Sequence, residues 1–285
     1  MLAKDGSVLV GSVGPQQQGS CISSVNAFTG QSLWSYQCPQ PSGQGGTTDA
    51  FQGAVVSARD GAIFFSSSSS LIALEPSGTR RWVSQLTGST YSYSPGGLLT
   101  APALSADGFT IFVGCAGSMT NAARLFGLDN GSGAILWSVR APADVTGVAA
   151  GVGGGVVYSA LDATLRFVNE TGSRASARRA LFPRVRALTP QPAAPPPTAV
   201  WATPLAARTY PRYYSGAPVV AANGTIYAIA PNGALFSFNS SDGTVGQVAD
   251  PDAGVASVQP SSMPVVTAGA VYYTSPIGEL RAIVL

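Results

Sequence analysis

The sequence predicts an all-β protein, a β-propeller of about six four-stranded blades, and two observations lead to this prediction. Glycine and proline, 34 and 21 of the 285 residues, separate many short apolar segments, which is typical of numerous strands joined by turns. The segments recur in units of about 46 residues with about four strands each. Units of that length and strand content build propeller blades.

The clearest repeated element is Gly-x-x-x-Trp. It begins and ends with Gly30 and Trp34, with Gly78 and Trp82, and with Gly133 and Trp137. Each copy follows a short apolar segment and a turn, and the order strand, glycine turn, strand is typical of a β-hairpin. We therefore expect each copy to form the outer hairpin of a blade.

Two further elements lie upstream of the hairpin in each unit. The first is a turn, usually with glycine, followed by a β-branched and aromatic run, at residues 7–11, 62–66, 110–114, 155–159, 225–229 and 270–274. The second precedes several of these turns and joins a proline to apolar residues, at residues 101–104, 217–220 and 263–266. Both compositions favour strands, so each unit is predicted to hold four.

The fourth unit is longer than the others. Its strand and turn at residues 164–172 match the other units, but the tryptophan strand resumes only around Trp201. The intervening residues contain five arginines and a proline-rich run, a composition that does not support a packed core. We predict that residues 1–285 form a single propeller, with residues 173–199 as a disordered insertion in the outer hairpin turn of the fourth blade.

The two terminal units are incomplete in the sequence. The first has no proline-bearing inner strand before Asp5, and the last has no tryptophan strand after residues 280–285. These gaps do not complete one shared blade, as the ends of a closed propeller do. We therefore expect four complete blades between two partial ones, in an open ring or a truncated product.

The composition excludes several classes of function. The chain contains no histidine, which removes histidine-based acid–base chemistry, histidine-activated nucleophiles and histidine-ligated metals. A net charge of +2 does not predict a nucleic-acid-binding protein. No apolar run reaches the length of about 20 residues that a membrane-spanning helix needs, and the segment before the first strand is too short for a signal peptide.

The repeated strands and the Gly-x-x-x-Trp motif resemble the pyrroloquinoline-quinone (PQQ) repeat of quinoprotein-like β-propellers, over nearly the whole chain. The resemblance implies that the tryptophans, including Trp201, pack between blades. It also implies one of two functions, since the family contains calcium- and PQQ-dependent dehydrogenases as well as non-catalytic propellers that bind proteins. The dehydrogenases typically carry two adjacent cysteines, whereas Cys21, Cys38 and Cys115 are far apart.

The absence of an adjacent cysteine pair favours a non-catalytic propeller that binds another protein as a scaffold and needs no cofactor. One alternative is a quinoprotein dehydrogenase, or a fragment of one, using PQQ and calcium. Another alternative is a structural repeat module within a larger secreted or surface protein.

The first hairpin holds a candidate disulfide. If its turn is centred between Thr29 and Gly30, Cys21 and Cys38 face each other across antiparallel strands, slightly beyond ideal disulfide spacing. The alternative is two small apolar residues on a blade surface. Cys115 would remain as an odd thiol.

Four asparagines lie in Asn-x-Ser/Thr sequons, at Asn130, Asn169, Asn223 and Asn239. All four fall in predicted turns, where a glycan could be attached. Asparagine, serine and threonine are also common in turns without any modification. Together with the candidate disulfide, the sequons favour a secretory or extracellular setting.

Overall fold

The structure is a computed structural model, and it describes twelve continuous ranges and one single residue of the chain. These are residues 2–11, 20–37, 51, 53–56, 59–67, 69–86, 99–117, 122–169, 197–205, 216–230, 234–249, 263–274 and 279–285. Within these ranges every regular element is a β-strand.

The strands are β1 (Val8–Gly11), β2 (Ser20–Val25), β3 (Ser32–Gln37), β4 (Gly53–Val56), β5 (Ile63–Ser66), β6 (Ser70–Leu74), β7 (Arg80–Gln85), β8 (Ala103–Leu104), β9 (Thr110–Cys115), β10 (Arg124–Asp129), β11 (Ile135–Arg140), β12 (Val145–Ala150), β13 (Gly155–Ala160), β14 (Thr164–Asn169), β15 (Thr198–Pro204), β16 (Val219–Val220), β17 (Ile226–Ile229), β18 (Leu235–Phe238), β19 (Val245–Ala249), β20 (Val265–Val266), β21 (Ala270–Thr274) and β22 (Leu280–Val284).

The strands form six antiparallel sheets that follow one another along the chain, here called blades 1 to 6. Blades 2 to 5 have four strands each, β4 to β7, β8 to β11, β12 to β15 and β16 to β19, while blade 1 is β1 to β3 and blade 6 is β20 to β22. In every blade, neighbouring strands in the sheet are neighbours in the sequence. The predicted six units and the two incomplete terminal ones are confirmed.

The missing strands are the ones expected from the sequence. Among the described residues blade 1 has no first strand, and a single bridge between Leu2 and Val8 occupies its place. Blade 6 begins with the proline-linked strand β20 and ends on β22, the equivalent of the third strand elsewhere. Its fourth strand has no counterpart among the described residues.

The core lies between consecutive blades. Phe64 of blade 2 packs with Ile111 and Phe126 of blade 3 in one buried cluster, and each of the other neighbouring pairs of blades shares a similar cluster. Strands β5, β9, β13 and β17 are buried at every residue, because a blade covers each of their faces. This explains why these strands are continuous apolar runs rather than alternating ones.

Antiparallel order places the turns in two groups. Strands are counted by their place in a four-stranded blade, so β1, β2 and β3 are the second, third and fourth strands of blade 1. The turns after the first and after the third strand of every blade lie at one end of the blades, here called the turn end. The loops after the second strand and the links between blades lie at the other end.

The fourth blade contains the predicted insertion, between its third and fourth strands. Strand β15 carries Trp201 and pairs with β14, as expected for a resumed outer hairpin. It begins at Thr198, so the last two residues of the predicted insertion belong to the strand. Residues 173–196 of the insertion lie outside the described residues, and their disorder stays a prediction. Among the described residues, no helix has the length and apolar character to cross a membrane.

Candidate functional site

The tryptophan of one blade packs against the glycine turn of the next blade. A Cβ atom on Gly78 would lie 2.5 Å from Cδ2 of Trp34, and one on Gly133 would lie 2.5 Å from Cε3 of Trp82. These glycines have φ values of +83° and +72°, a conformation that residues with a Cβ rarely adopt. Glycine is therefore required both by its own turn and by the tryptophan of the preceding blade.

The indole N–H of each docked tryptophan donates a hydrogen bond to the same part of the turn. The donors and acceptors are Trp34 with the carbonyl of Pro76 at 3.1 Å, Trp82 with that of Asn130 at 2.9 Å, and Trp201 with that of Ser240 at 3.0 Å. Each acceptor lies two or three residues before the glycine on which the indole rests. The contact is thus a recurring joint between blades.

The joint also uses a glycine that the sequence interpretation did not single out. Gly243 of blade 5 receives Trp201, at 2.5 Å from its would-be Cβ atom, although blade 5 has no tryptophan of its own. The sequence could have identified this glycine, because Gly243 lies in a turn like that of Gly133. Trp137 is buried against Gly127 of its own blade, and the next turn lies outside the described residues.

Small residues at the ends of the second strands form a further set that the sequence interpretation missed. A Cβ atom on Gly114 would lie 2.2 Å from Cγ1 of Val145 in the next blade. Ser66 occupies the same position in blade 2, and its hydroxyl donates to the carbonyl of Thr100 at 2.6 Å. The inner strands of neighbouring blades approach closely at this position, so only a small residue fits. The glycine or serine that follows the apolar run was the sequence signal that could have identified these residues.

The register of the first hairpin corrects the reasoning behind the candidate disulfide. Pairing Cys21 with Cys38 requires Ile22 opposite Gln37, but Ile22 faces Tyr36. The turn is centred one residue earlier than assumed, and the register shifts once on each strand, at Leu33 of β3 and between Ser20 and Ile22 of β2. The side chain of Cys21 and the whole of Cys38 lie outside the described residues, so the disulfide itself stays a prediction.

Cys115 is a free, buried thiol between blades 2 and 3. Burial raises its pKa, so the thiol form is favoured. It behaves as a small core residue.

The four sequon asparagines all lie at the turn end, on three consecutive blades, 3 to 5. Asn169, Asn223 and Asn239 are exposed, whereas Asn130 is partly buried. The side-chain amide of Asn130 donates to the carbonyl of Gly108. In Asn239, by contrast, the side-chain oxygen accepts a hydrogen bond from the hydroxyl of Ser241, the third residue of the sequon.

When the chain is expressed through a eukaryotic secretory pathway, we expect a glycan at Asn239 and none at Asn130. The amide nitrogen of Asn130 is committed to Gly108, while Asn239 is open to solvent. Peptide mapping after enzymatic deglycosylation measures the occupancy of each sequon. Equal occupancy at the two asparagines would contradict this prediction.

Charged side chains at the turn end of blade 2 are paired with one another. Arg81 contacts Asp60 at 3.0 Å and Glu75 at 2.7 Å. The hydrogen bond from Arg81 lowers the pKa of Glu75. This network of one arginine and two carboxylates links the two turns of one blade.

The described residues do not fit the PQQ and calcium of the dehydrogenase alternative. Within the described ranges, no three carboxylate or thiol groups converge on a point where a metal ion could bind. The three cysteines are not adjacent in the sequence either.

Blade 6 exposes an apolar face. Val265, Tyr272 and Ala282 are opposed across the sheet and so share one face, and Leu280 and Val284 flank Ala282 on it. Their exposed fractions reach 58% at Val265, 76% at Leu280 and 85% at Val284. The opposite face packs on blade 5 through Val271 and Tyr273.

The outer edge of the same blade is open. Strand β22 pairs with β21 alone, whereas the equivalent strands β6, β10, β14 and β18 each pair on both sides. Its outer N–H and C=O groups therefore have no strand partner among the described residues. An unpaired edge next to an exposed apolar face is a surface on which another strand can add.

Comparisons with known proteins agree with this architecture. Residues 67–190 match the PQQ_2 family model, described as outer membrane protein assembly factor BamB. No curated protein matches the chain.

Three solved structures are similar in fold. A protein of unknown function from Bacteroides caccae has a TM-score of 0.54 at 11% identity, covering 98% of this chain and 90% of its own. BamB from Moraxella catarrhalis has a TM-score of 0.51 at 16% identity, covering 98% of this chain and 86% of its own. A streptogramin B lyase has a TM-score of 0.50 at 11% identity, covering 82% and 68%. The predicted all-β propeller and its resemblance to the PQQ repeat are confirmed.

Proposed function

We propose that this chain, whose residues 67–190 match the BamB-like PQQ-repeat family model, is a protein-binding scaffold module. Its docking surface is blade 6, where a partner polypeptide adds an extended strand along β22 and covers the neighbouring apolar face. The edge of β22, which no other described strand pairs with, and the exposed apolar face beside it are the observations that carry the proposal.

The other blades indicate what chemistry this surface accepts. In blades 2 to 5 the fourth strand pairs antiparallel with the third strand through backbone hydrogen bonds. In β7 and β15, buried or half-buried side chains largely alternate with exposed ones. A partner strand with alternating apolar side chains therefore suits β22, with backbone pairing supplying affinity and the side chains supplying specificity.

The family description supports the same proposal. The matching family model is described as an assembly factor for outer membrane proteins, a role that requires contact with other proteins. An apolar face of this kind is typical of interaction sites, since soluble proteins seldom leave large apolar patches uncovered.

The test is a comparison of three immobilised forms of the chain: the unchanged chain, Leu280→Ser with Val284→Ser, and a control with Ile135→Ser and Val152→Ser. The control residues are exposed by 49% and 51% and belong to blades 3 and 4. We expect proteins from the source cell extract to be retained by the unchanged chain and the control, and at least tenfold less by the blade 6 variant. Quantitative mass spectrometry measures retention.

Hydrogen exchange on the complex tests strand addition. Backbone amides of β22 should gain protection, while those of β3, at the other end of the blade series, should not. Equal retention by all three forms would overturn the proposal. So would the absence of any retained protein together with substrate oxidation on addition of PQQ and calcium.

A further inference from the structure

Two arginines of blade 3 face each other across the sheet. Arg124 begins β10 and lies directly opposite Arg140, the last residue of β11, at the end of the blades away from the turn end. The Ala141 N–H donates to the carbonyl of Ala123 at 2.8 Å, so the neighbouring arginine pair is a non-hydrogen-bonded pair. Opposed Cα atoms in such a pair lie about 4.5 Å apart, which brings the two side chains close together.

The blade architecture does not need charge at this position. Like charges directly opposite each other destabilise a sheet. The other blades that have both strands place uncharged residues here, and the opposed pairs are Ser20 with Gln37, Ser70 with Gln85, Thr164 with Pro204, and Leu235 with Ala249. The two arginines are therefore a feature of blade 3 that its fold does not explain.

No carboxylate among the described residues compensates this pair. Every ion pair between described residues uses a different arginine. Asp144, the first acidic residue after β11, accepts a hydrogen bond from the Gly117 N–H through its Oδ1 atom at 2.6 Å. The stretches of chain that precede and follow the inner strands of this blade, residues 87–98 and 118–121, contain no aspartate or glutamate. The pair thus carries two positive charges.

Both arginines lie on the face of blade 3 that packs on blade 2. Arg124 shares this face with Phe126 and Cys115, which are buried in the cluster between the two blades. Its Nη1 donates to the hydroxyl of Ser138 at 3.0 Å, which holds the guanidinium on this face beside Arg140. Both arginines are exposed. Since an arginine has five side-chain N–H donors, most donors of the pair are available to a ligand within the described structure.

We propose that Arg124 and Arg140 together bind a phosphate group in its dianionic form. A phosphate monoester carries a charge of about −1.5 to −2 at pH 7 and three acceptor oxygens, which match two guanidinium groups. A carboxylate or a sulfate ester carries a single negative charge and leaves one arginine uncompensated. The planar N–H fork of arginine also suits bidentate binding of phosphate oxygens.

This inference goes beyond the proposed function, because it concerns a different blade and a different chemistry. The same phosphate chemistry is offered by inorganic phosphate and by a phosphorylated small molecule. The experiment has one arm for each source.

The test is an NMR titration of the isotope-labelled chain, read at the backbone amides and side-chain Nε–H groups of Arg124 and Arg140. The probes are inorganic phosphate and phenyl phosphate, with phenyl sulfate and benzoate as singly charged probes of similar shape. We expect saturable shifts with millimolar dissociation constants for the phosphates, and binding at least about threefold weaker for phenyl sulfate and benzoate, because their charge is smaller. Tighter binding of phenyl phosphate than of inorganic phosphate identifies a phosphorylated molecule as the ligand, and the reverse order identifies the free ion.

Three variants localise the effect. Arg124→Gln and Arg140→Gln should each weaken phosphate binding about three- to tenfold, as expected for the loss of one charged donor group at an exposed site. Arg80→Gln is the matched control and should leave binding unchanged, because Arg80 is an exposed arginine at the turn end of blade 2. Without phosphate, neither substitution in the pair should lower the thermal unfolding temperature, since each removes a repulsion between like charges.

The proposal is overturned if the phosphate shifts survive both substitutions in the pair, or if Arg80→Gln reduces them equally. Equal affinity for phenyl phosphate and benzoate would also overturn it, because the double charge would then not select the ligand. These readouts do not involve blade 6. A failed titration, with retention still dependent on Leu280 and Val284, removes the phosphate site and keeps the scaffold function. A successful titration, with retention independent of blade 6, does the opposite.

Discussion

Replacing Trp82 by alanine is expected to lower the free energy of unfolding by about 3–5 kcal/mol, the usual range for a large packed aromatic residue. Trp82 packs in the cluster between blades 2 and 3, with its ring centroid 5.9 Å from that of Phe64. Its indole also rests on Gly133 and bonds to Asn130. Urea denaturation followed by circular dichroism at 25 °C measures the change.

Trp82→Phe is the matched control for this prediction. It keeps an aromatic ring against Phe64 but removes the N–H donor, so the loss should be about 1–2 kcal/mol, from the hydrogen bond and the unpaired carbonyl left behind. A loss below about 1 kcal/mol for Trp82→Ala would show that the indole does not hold the two blades together.

Gly133→Ala is expected to cost about 2–4 kcal/mol, from the left-handed backbone and from the collision of the new Cβ atom with Trp82. Gly30→Ala should cost only about 1–2 kcal/mol, because it has the same backbone strain but no indole above it. The difference between the two variants measures the steric part alone. Equal losses would mean that the tryptophan moves aside freely.

A double-mutant cycle makes the comparison independent of position. In a Trp82→Ala background, Gly133→Ala should cost no more than Gly30→Ala does in the unchanged chain, because the colliding indole is gone. The two substitutions should therefore be strongly non-additive, as expected for residues in direct contact. Additive losses would contradict the joint between blades.

Much of the architecture was predictable because it depends on local chemistry. Glycine turns and β-branched runs predicted all six second strands, from β1 to β21, and the proline-linked strands β8, β16 and β20. The register of β2 and β3 was off by one residue because the sequence does not show where a bulge lies. A bulge depends on how the turn fits the twist of both strands.

The candidate sites were predicted less completely. The glycine and the tryptophan of each motif were recognised as a unit, yet Trp34 and Trp82 rest on the glycine of the following blade. Trp82 therefore pairs with Gly133, 51 positions away in the chain, rather than with Gly78. A repeat with a regular period leaves the two possibilities indistinguishable in the sequence, because each of the first three units carries both partners.

Strands β9 and β21 show where prediction from sequence ends. Both are short apolar runs after a turn, and the sequence alone establishes that each is a second strand of a blade. Strand β9 is buried at every residue, whereas β21 alternates, with Tyr272 exposed. The difference comes from the neighbours, since β9 lies between two blades, whereas in the described part of the chain β21 has a blade on one face only. Burial of a sheet face is a property of what packs on it, so only the tertiary structure decided which apolar residues became core and which became the surface proposed here for binding.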